Sequence, residues 1–342
     1  MREQDDIAAV ATTGGSRGSM ATSSTITRAD RLVHVLARLG VKRNGWRVEP
    51  GLYSLKEPGP GSPVFVSANY RLSFDALREG LERLDAYILV LDTRGINVWC
   101  AAGKGTFGTD ELVERIESTG LADVVESRQL ILPQLGATGV AAHEVRERSG
   151  FRVKYGPVRA GDIREYLRAG EATPEMRRIR FDLPDRVVLI PLESVHAFPL
   201  LAGASVAAYF ADGAVAASGI AAAGIAGVAG FPVLLPWLPG EDFSVKGFAL
   251  GAVVGLTTAA ASAFHGGNGI GRAGRALRAV SYALALPPIT ALLGLNFTGS
   301  TPFASPSMVR REIFTYVPVM AGMAVSGIII NAAHRLVRSM RG

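Results

Sequence analysis

The chain has 342 residues, 48% of them hydrophobic, with a formal net charge of +6 at pH 7 and a mean hydropathy of +0.25. That length accommodates two domains, and so apolar a composition excludes an ordinary soluble enzyme, so part of the chain is expected in lipid. The basic excess lies in the apolar second half, where arginines beside hydrophobic stretches snorkel to headgroups, and nucleic-acid binding is not expected.

Met1 to Ser24 is rich in Gly, Ser, Thr and Ala and lacks the apolar run of a secretory signal, so residues 1–25 read as a disordered tail ahead of a cytoplasmic domain. From 26 to 169 short apolar runs alternate with helical periodicity, the pattern of a Rossmann-like α/β sheet domain. Strands are predicted at Pro63–Val66, Tyr87–Leu91, Gln129–Leu132 and Phe151–Tyr155. Helices are predicted at Arg28–Leu39, Phe74–Arg83, Glu111–Ser118 (with Thr109 as its cap), Val140–Arg148 and Asp162–Arg168. Residues 170–186, with Arg177, Arg178, Arg180 and two prolines, read as a linker ending at a membrane surface.

Residues 187–342 read as an all-α transmembrane domain of about five helices, at Val187–Phe210, Ala214–Leu238, Gly247–Phe264, Ala279–Leu295 and Ile313–Ala333. Each is near the roughly 20 residues that cross a bilayer. Glu193 and His196 interrupt the first, Pro287 and Pro288 should kink the fourth, and the abundant Gly, Ala and Ser suit close helix packing. Five crossings behind a cytoplasmic domain place Arg272, Arg275, Arg278, Arg335, Arg338 and Arg341 outside, against the positive-inside tendency. Either the number of crossings differs or the front domain dominates the topology.

Chemistry concentrates in Gly95–Gly108, which surrounds the lone cysteine, Cys100. One cysteine excludes an internal disulfide, a multi-cysteine zinc site and an iron–sulfur cluster with four thiolates from this chain. The segment is not a phosphate-binding loop, because Val98 and Gly105 stand where that motif requires Gly and Ser or Thr. By themselves, glycines 103, 105 and 108 suggest a tight turn, and a lone cysteine suggests a buried core thiol. His143, in Ala-Ala-His-Glu-Val-Arg, belongs to no His-Glu-x-x-His zinc motif, since Glu147 replaces the second His, and reads as a helix-start hydrogen bonder. Lys104 reads as solvated and Glu193 as an interfacial charge.

Asn97-Val-Trp-Cys-Ala-Ala-Gly-Lys104 resembles the cap-helix signature of the family of mercury-methylating corrinoid proteins. The resemblance extends from Tyr53 to Tyr166 through Ser62–Tyr70, Leu132–Gly139 and Tyr155-Gly-Pro157, stretches similar to the large corrinoid subunit of acetyl-CoA synthesis complexes. Asn296–Ser307 is similar to the mercury family's loop before its last membrane helix. The acetyl-CoA proteins lack a cysteine at the position of Cys100 and carry their own iron–sulfur cluster, which separates the two groups.

The resemblance implies a corrinoid, cobalamin-type and base-off, with Cys100 as the lower axial cobalt ligand and no iron–sulfur cluster in this chain. It implies Asn97, Val98, Trp99, Ala101, Ala102 and Gly103 along the lower face, with the two alanines leaving room for a flat ligand. Ser67 and Asn69 would meet the corrin edge, and Gln134, Gly136, Gly139, Val140, His143, Gly156 and Pro157 would hold ring amides and the displaced tail. The implied activity is a methyltransferase moving methyl from cobalt to inorganic mercury(II). A soft thiolate ligand pushes electron density onto cobalt, which suits transfer of methyl with its bonding electrons and makes re-reduction harder. The expected partners are a ferredoxin-like protein with two four-iron clusters, a folate-linked methyl donor and membrane lipid. Two alternatives stand beside it: a methyl carrier in one-carbon metabolism, and a corrinoid-binding membrane sensor or transporter.

Overall fold

The computed structural model describes residues 18–42, 45–264 and 271–339, and the chain divides into two compact units between Arg180 and Phe181. The first unit is an α/β domain in which six strands form one mixed sheet. They are β1 (Met20–Thr22), β2 (Gly51–Leu55), β3 (Val64–Ala68), β4 (Ala86–Leu91), β5 (Gln129–Leu132) and β6 (Arg152–Tyr155), in the spatial order β1-β2-β4-β3-β5-β6. The four strands expected from sequence correspond to β3 to β6, which are mutually parallel, while β2 runs antiparallel to β4 and β1 pairs parallel with β2. Strand β1 falls inside the stretch read as a disordered tail; residues 1–17 of that tail lie outside the described residues.

Seven helices accompany the sheet: α1 (Arg28–Arg38), α2 (Arg71–Gly80), α3 (Val98–Lys104), α4 (Thr109–Ser118), α5 (Leu121–Val124), α6 (Ala142–Ser149) and α7 (Ile163–Ala169). Helix α2 begins before the predicted Phe74, because Tyr70 takes the extended backbone of an N-cap right after β3. Thr109 is the first helical residue of α4 rather than its cap. Gly108 stands at the N-cap, and the Thr109 hydroxyl instead accepts from Ala141 N at 2.9 Å.

All six residues of β4 are buried, as a central strand covered on both faces requires. Strand alternation sends Val64, Val66, Leu89 and Leu91 to one face with Ala101, Phe107, Leu112 and Val145. Phe65, Ile88 and Val90 go to the other with Phe74, Leu81, Ile163 and Tyr166. Ala172 and Met176, from the expected linker, are buried in this second core, and Val158 N donates to Met176 O at 2.8 Å, so the first domain extends past residue 169.

Helix α1 is tied to α2 by buried charge. Asp30 and Asp75 each pair with both Arg71 and Arg78, and His34 Nε2 lies 2.8 Å from Asp75 Oδ2. Burial raises the Asp30 carboxyl, but hydrogen bonds from Thr27 and Arg78 outweigh it and hold the group at about 2. Asp75 is likewise lowered, its burial outweighed by His34, Arg71 and Arg78.

Among the described residues the second unit contains helices and no strand. Helices α8 (Leu183–Val187), α9 (Ile190–Asp212), α10 (Ala214–Ile225), α11 (Phe231–Leu234), α12 (Phe243–Phe264), α13 (Arg272–Ala285), α14 (Pro287–Asn296) and α15 (Pro306–Ser339) make five stretches long and apolar enough to cross a membrane. These stretches are Leu183–Asp212, Ala214–Trp237, Phe243–Phe264, Arg272–Ser300 and Pro306–Leu336, each wider than predicted at one end or both except the second. At the expected kink the helix is interrupted at one residue, Leu286, which keeps right-handed helical backbone between the end of α13 and Pro287 at the start of α14. Glycines 247, 251 and 255 lie along one side of α12 against α14, where a Cβ would come within 2.6 to 3.2 Å of Ala291 or Pro287. Only glycine admits that approach. Glu312 caps α12, accepting from Phe243 N at 3.0 Å and from Ser244 N at 2.8 Å.

Candidate functional site

The site lies at the carboxyl ends of β3, β5 and β6, the edge where open α/β sheets bind ligands. It is built from the turn after β4. Arg94 and Gly95 both take left-handed backbone, reversing the chain so that α3 starts over the sheet edge. Asn69, at the end of β3, fixes that turn. Its Oδ1 accepts from Gly95 N at 2.9 Å, Thr93 N at 3.1 Å and Thr93 Oγ1 at 2.9 Å, while its Nδ2 donates to Asp92 Oδ1 at 3.0 Å. Asn69 is buried, and these four hydrogen bonds make it the organiser of the loop.

Asn97 is the N-cap of α3 and its Oδ1 accepts from Cys100 N at 2.9 Å. The cap orients the first turn: Val98 points into the core, whereas Trp99 and Cys100 face out and the Cys100 thiol is exposed. A core thiol, the bland reading of a lone cysteine, is thereby excluded. Ala101 and Ala102 are buried against the sheet, so they seat the helix and make no room for a ligand on its outer side. Gly103 is on the open side, with nothing within 4 Å of where a Cβ would stand. The helix closes at Gly105, in the left-handed conformation.

Gly136 and Gly139 serve the underside of this helix. A Cβ on Gly136 would lie 2.5 Å from the Phe107 ring, and one on Gly139 2.2 Å from Phe107 O and 3.0 Å from Ala102 Cα. Both let the loop after β5 close on the fully buried Phe107, a positioning role in place of the expected ligand contact. Val140 is core, and its carbonyl accepts from Tyr155 Oη at 2.7 Å. Gln134 Oε1 accepts from Arg177 Nη1 at 3.2 Å. His143 stands out from α6 with its side chain 82% exposed and Glu144 4.0 Å away, so it neither starts a hydrogen-bonded cap nor faces the cavity.

A cavity of about 410 Å3 opens between α2, the start of α3 and the loops after β5 and β6. Of the predicted residues it gathers Ser67, Asn97, Val98, Trp99, Gly156 and Pro157. Cys100, Ala101, Ala102, Gly103, Gln134, Asn69, Gly136, Gly139, Val140 and His143 do not line it. Sequence reading missed Leu72, Ser73, Ala76 and Leu77 of α2, and Leu135, Val158, Ala160 and Ile163, among the residues that line it. The apolar spacing of α2 was the available signal, and it reads equally as core. Beneath this wall the Tyr166 hydroxyl is buried without a partner and its ionisation is pushed up by burial. Among the described residues no three His, Cys, Asp or Glu side chains cluster as a metal site.

An apolar cleft with a few polar groups thus lies beside a short capped helix that carries an outward thiol, at the edge of the sheet where α/β domains bind ligands. The comparisons point to the same class of domain. Residues 40–167 match the family described as CO dehydrogenase/acetyl-CoA synthase delta subunit. The α/β domain is 32% identical over 123 residues to the acetyl-CoA decarbonylase/synthase complex subunit gamma of Archaeoglobus fulgidus, covering 35% of this chain and 26% of that protein. It is 33% identical over 127 residues to the same subunit of Methanopyrus kandleri, covering 36% and 27%. Against the corrinoid/iron-sulfur protein large subunit of Moorella thermoacetica it is 27% identical over 160 residues, covering 44% and 35%. The α/β domain is homologous to these subunits, and the chain spans about a quarter of the length of the first relatives it matches.

Proposed function

We propose that this chain is a membrane-anchored corrinoid methyltransferase that delivers methyl to mercury(II), with Cys100 as the lower axial ligand. The observation that carries the reading is the exposed Cys100 thiol on the first turn of a helix placed over the ligand-binding edge of the sheet. A lone cysteine held outward has no role in packing, and a soft sulfur donor is a fitting ligand for a transition metal. The homologous relatives include a protein named for its corrinoid, which supports that cofactor here.

The residues present fit the group. Cys100 would supply the ligand, Trp99 and Gly103 would lie against the ring, and Ser67, Asn97, Gly156 and Pro157 would hold whatever part enters the 410 Å3 cavity, which is too small for an entire cobalamin. When bound, the corrinoid would supply a methyl group that can be given up with its bonding electrons to the electrophilic mercury(II). This chain's part is positional. Asn97 and the buried alanines hold the helix so that the thiol stays on its outer side, where a thiolate would donate electron density to the metal. The electron donor, a ferredoxin-like protein with two four-iron clusters, and the folate-linked methyl supply are separate partners in this reading. The α/β domain works on the cytoplasmic side of the cell membrane, anchored by the five apolar helical stretches.

A second reading, favoured by the acetyl-CoA complex relatives, is a methyl carrier of one-carbon metabolism. The two separate in one experiment: anaerobic conversion of mercury(II) to methylmercury by corrinoid-loaded membranes with a methyl donor and a low-potential reductant, comparing wild type with Cys100→Ala and Cys100→Thr. The proposal requires production that disappears in both variants. Production that survives in Cys100→Thr removes the ligand role, and none in wild type despite bound methylcorrinoid leaves the one-carbon carrier.

A further inference from the structure

The outward face of α1 has a chemistry that neither the sheet nor the proposed methyl transfer uses. Its inner side carries the charge: Asp30 is buried with Val33 and Ala37 and is paired with Arg71 and Arg78. Its outer side is aliphatic. Leu32 and Val35 are each 52% exposed, Leu39 is partly exposed at the same helical angle, and Val41 is exposed just past the end. A surface helix ordinarily has the reverse distribution.

Cations rim this stripe. Arg28, Arg31, Arg38 and Lys42 are all exposed, and no ion pair engages them among the described residues. Asp30 is the only acid on the helix, and it faces inward. Trp46, half-buried, donates from its indole to Val41 O at 2.8 Å, placing an amphipathic ring beside the stripe. Aliphatic side chains that enter the acyl boundary, with guanidinium groups at the level of phosphates, are what an interfacial helix presents to an anionic leaflet.

We propose that α1 docks its Leu32–Val35–Leu39 face onto an anionic lipid surface. The occupant is lipid because the chain itself carries five stretches able to cross a bilayer, so a leaflet is held at high effective concentration, and because the rim is uniformly cationic. The contact needs only modest intrinsic affinity, since tethering supplies the rest.

The test uses the full chain in nanodiscs, spin-labelled at Val35→Cys in a Cys100→Ala background, with Glu114→Cys on exposed α4 as the control position. Collision with oxygen, which partitions into lipid, is compared with collision with a water-soluble nickel chelate. In discs containing phosphatidylglycerol the Val35 label should gain oxygen and lose nickel contact, while the Glu114 label stays in water. Replacing both Arg31 and Arg38 by Gln should lower the docked-to-undocked ratio about fivefold per cation removed. A Val35 label open to nickel in anionic discs overturns the proposal. So does one that is shielded only in native membranes, since that outcome assigns the face to a protein.

Discussion

Asn69→Ala removes the side chain on which the turn before α3 is built. Gly95 N–H, buried, loses its partner, and three further hydrogen bonds, with Thr93 N, Thr93 Oγ1 and Asp92, disappear with it. Thr93 keeps other acceptors, Leu91 O for its amide and Ile96 O for its hydroxyl, so the loss is partial. One orphaned buried donor and three lost hydrogen bonds, two of them partly compensated, sum to about 3 kcal/mol, which raises local opening of the turn about a hundredfold. Hydrogen–deuterium exchange of the cofactor-free protein reads this directly. Peptides covering 92–104 should exchange faster by about that factor, and corrinoid retention should fall as a consequence, while α4 stays protected. If exchange in 92–104 is unchanged and corrinoid affinity alone falls, Asn69 touches the cofactor and the loop-organising role is wrong.

Gly139→Ala should destabilise the α/β domain by about 1–3 kcal/mol in denaturant titration followed by tryptophan fluorescence, because its methyl would meet Phe107 O at 2.2 Å. Gly103→Ala, with open space at that point, should leave the cofactor-free domain as stable or slightly more so. His143→Ala should retain corrinoid, judged by its visible absorption, within about twofold of wild type, since an 82% exposed side chain standing off the cavity gives up little. Acid should loosen the α1–α2 contact. Asp30 titrates near 2 when folded and near 3.8 when free, so between those values the folded state binds fewer protons than the unfolded one. Stability is therefore full above about pH 4 and falls as pH drops toward 2. Asp30 alone accounts for about 2 kcal/mol, and Asp75 adds in the same direction. Circular dichroism of the charge-neutral pair of variants Asp30→Asn and Asp75→Asn should show a flatter acid transition than wild type.

Much of the α/β fold was legible because β3 to β6 follow the rule that parallel strands are buried on both faces and separated by helices, which leaves continuous apolar runs. Strand β2 was not, since Pro50 before it, Gly51 at its start and Lys56 to Pro58 after it are turn chemistry; pairing with the buried β4 overrides that local signal. Strand β1, three residues at a sheet edge, has no periodicity long enough to detect. The five apolar spans were visible by composition alone, and their ends shifted because flanking polar residues such as Arg272 remain helical.

Within the site, the motif around Cys100 located the helix and its exposed thiol, but it did not separate residues that touch the cavity from residues that shape it. Gly136, Gly139 and Asn69 belong to the second group, through contacts to Phe107 and Gly95 that join distant parts of the chain. Sequence spacing carries no record of such contacts. The α2 wall of the cavity escaped for a similar reason, because an apolar side chain lining a cleft and one lining a core obey the same periodicity.

Cobalt K-edge X-ray absorption on the corrinoid-loaded protein, wild type against Cys100→Ala, tests the axial-ligand claim most directly. A sulfur scatterer in the first cobalt shell of wild type that is absent from the variant is the predicted result. A first shell of nitrogen and oxygen alone in both would contradict it and detach Cys100 from the metal.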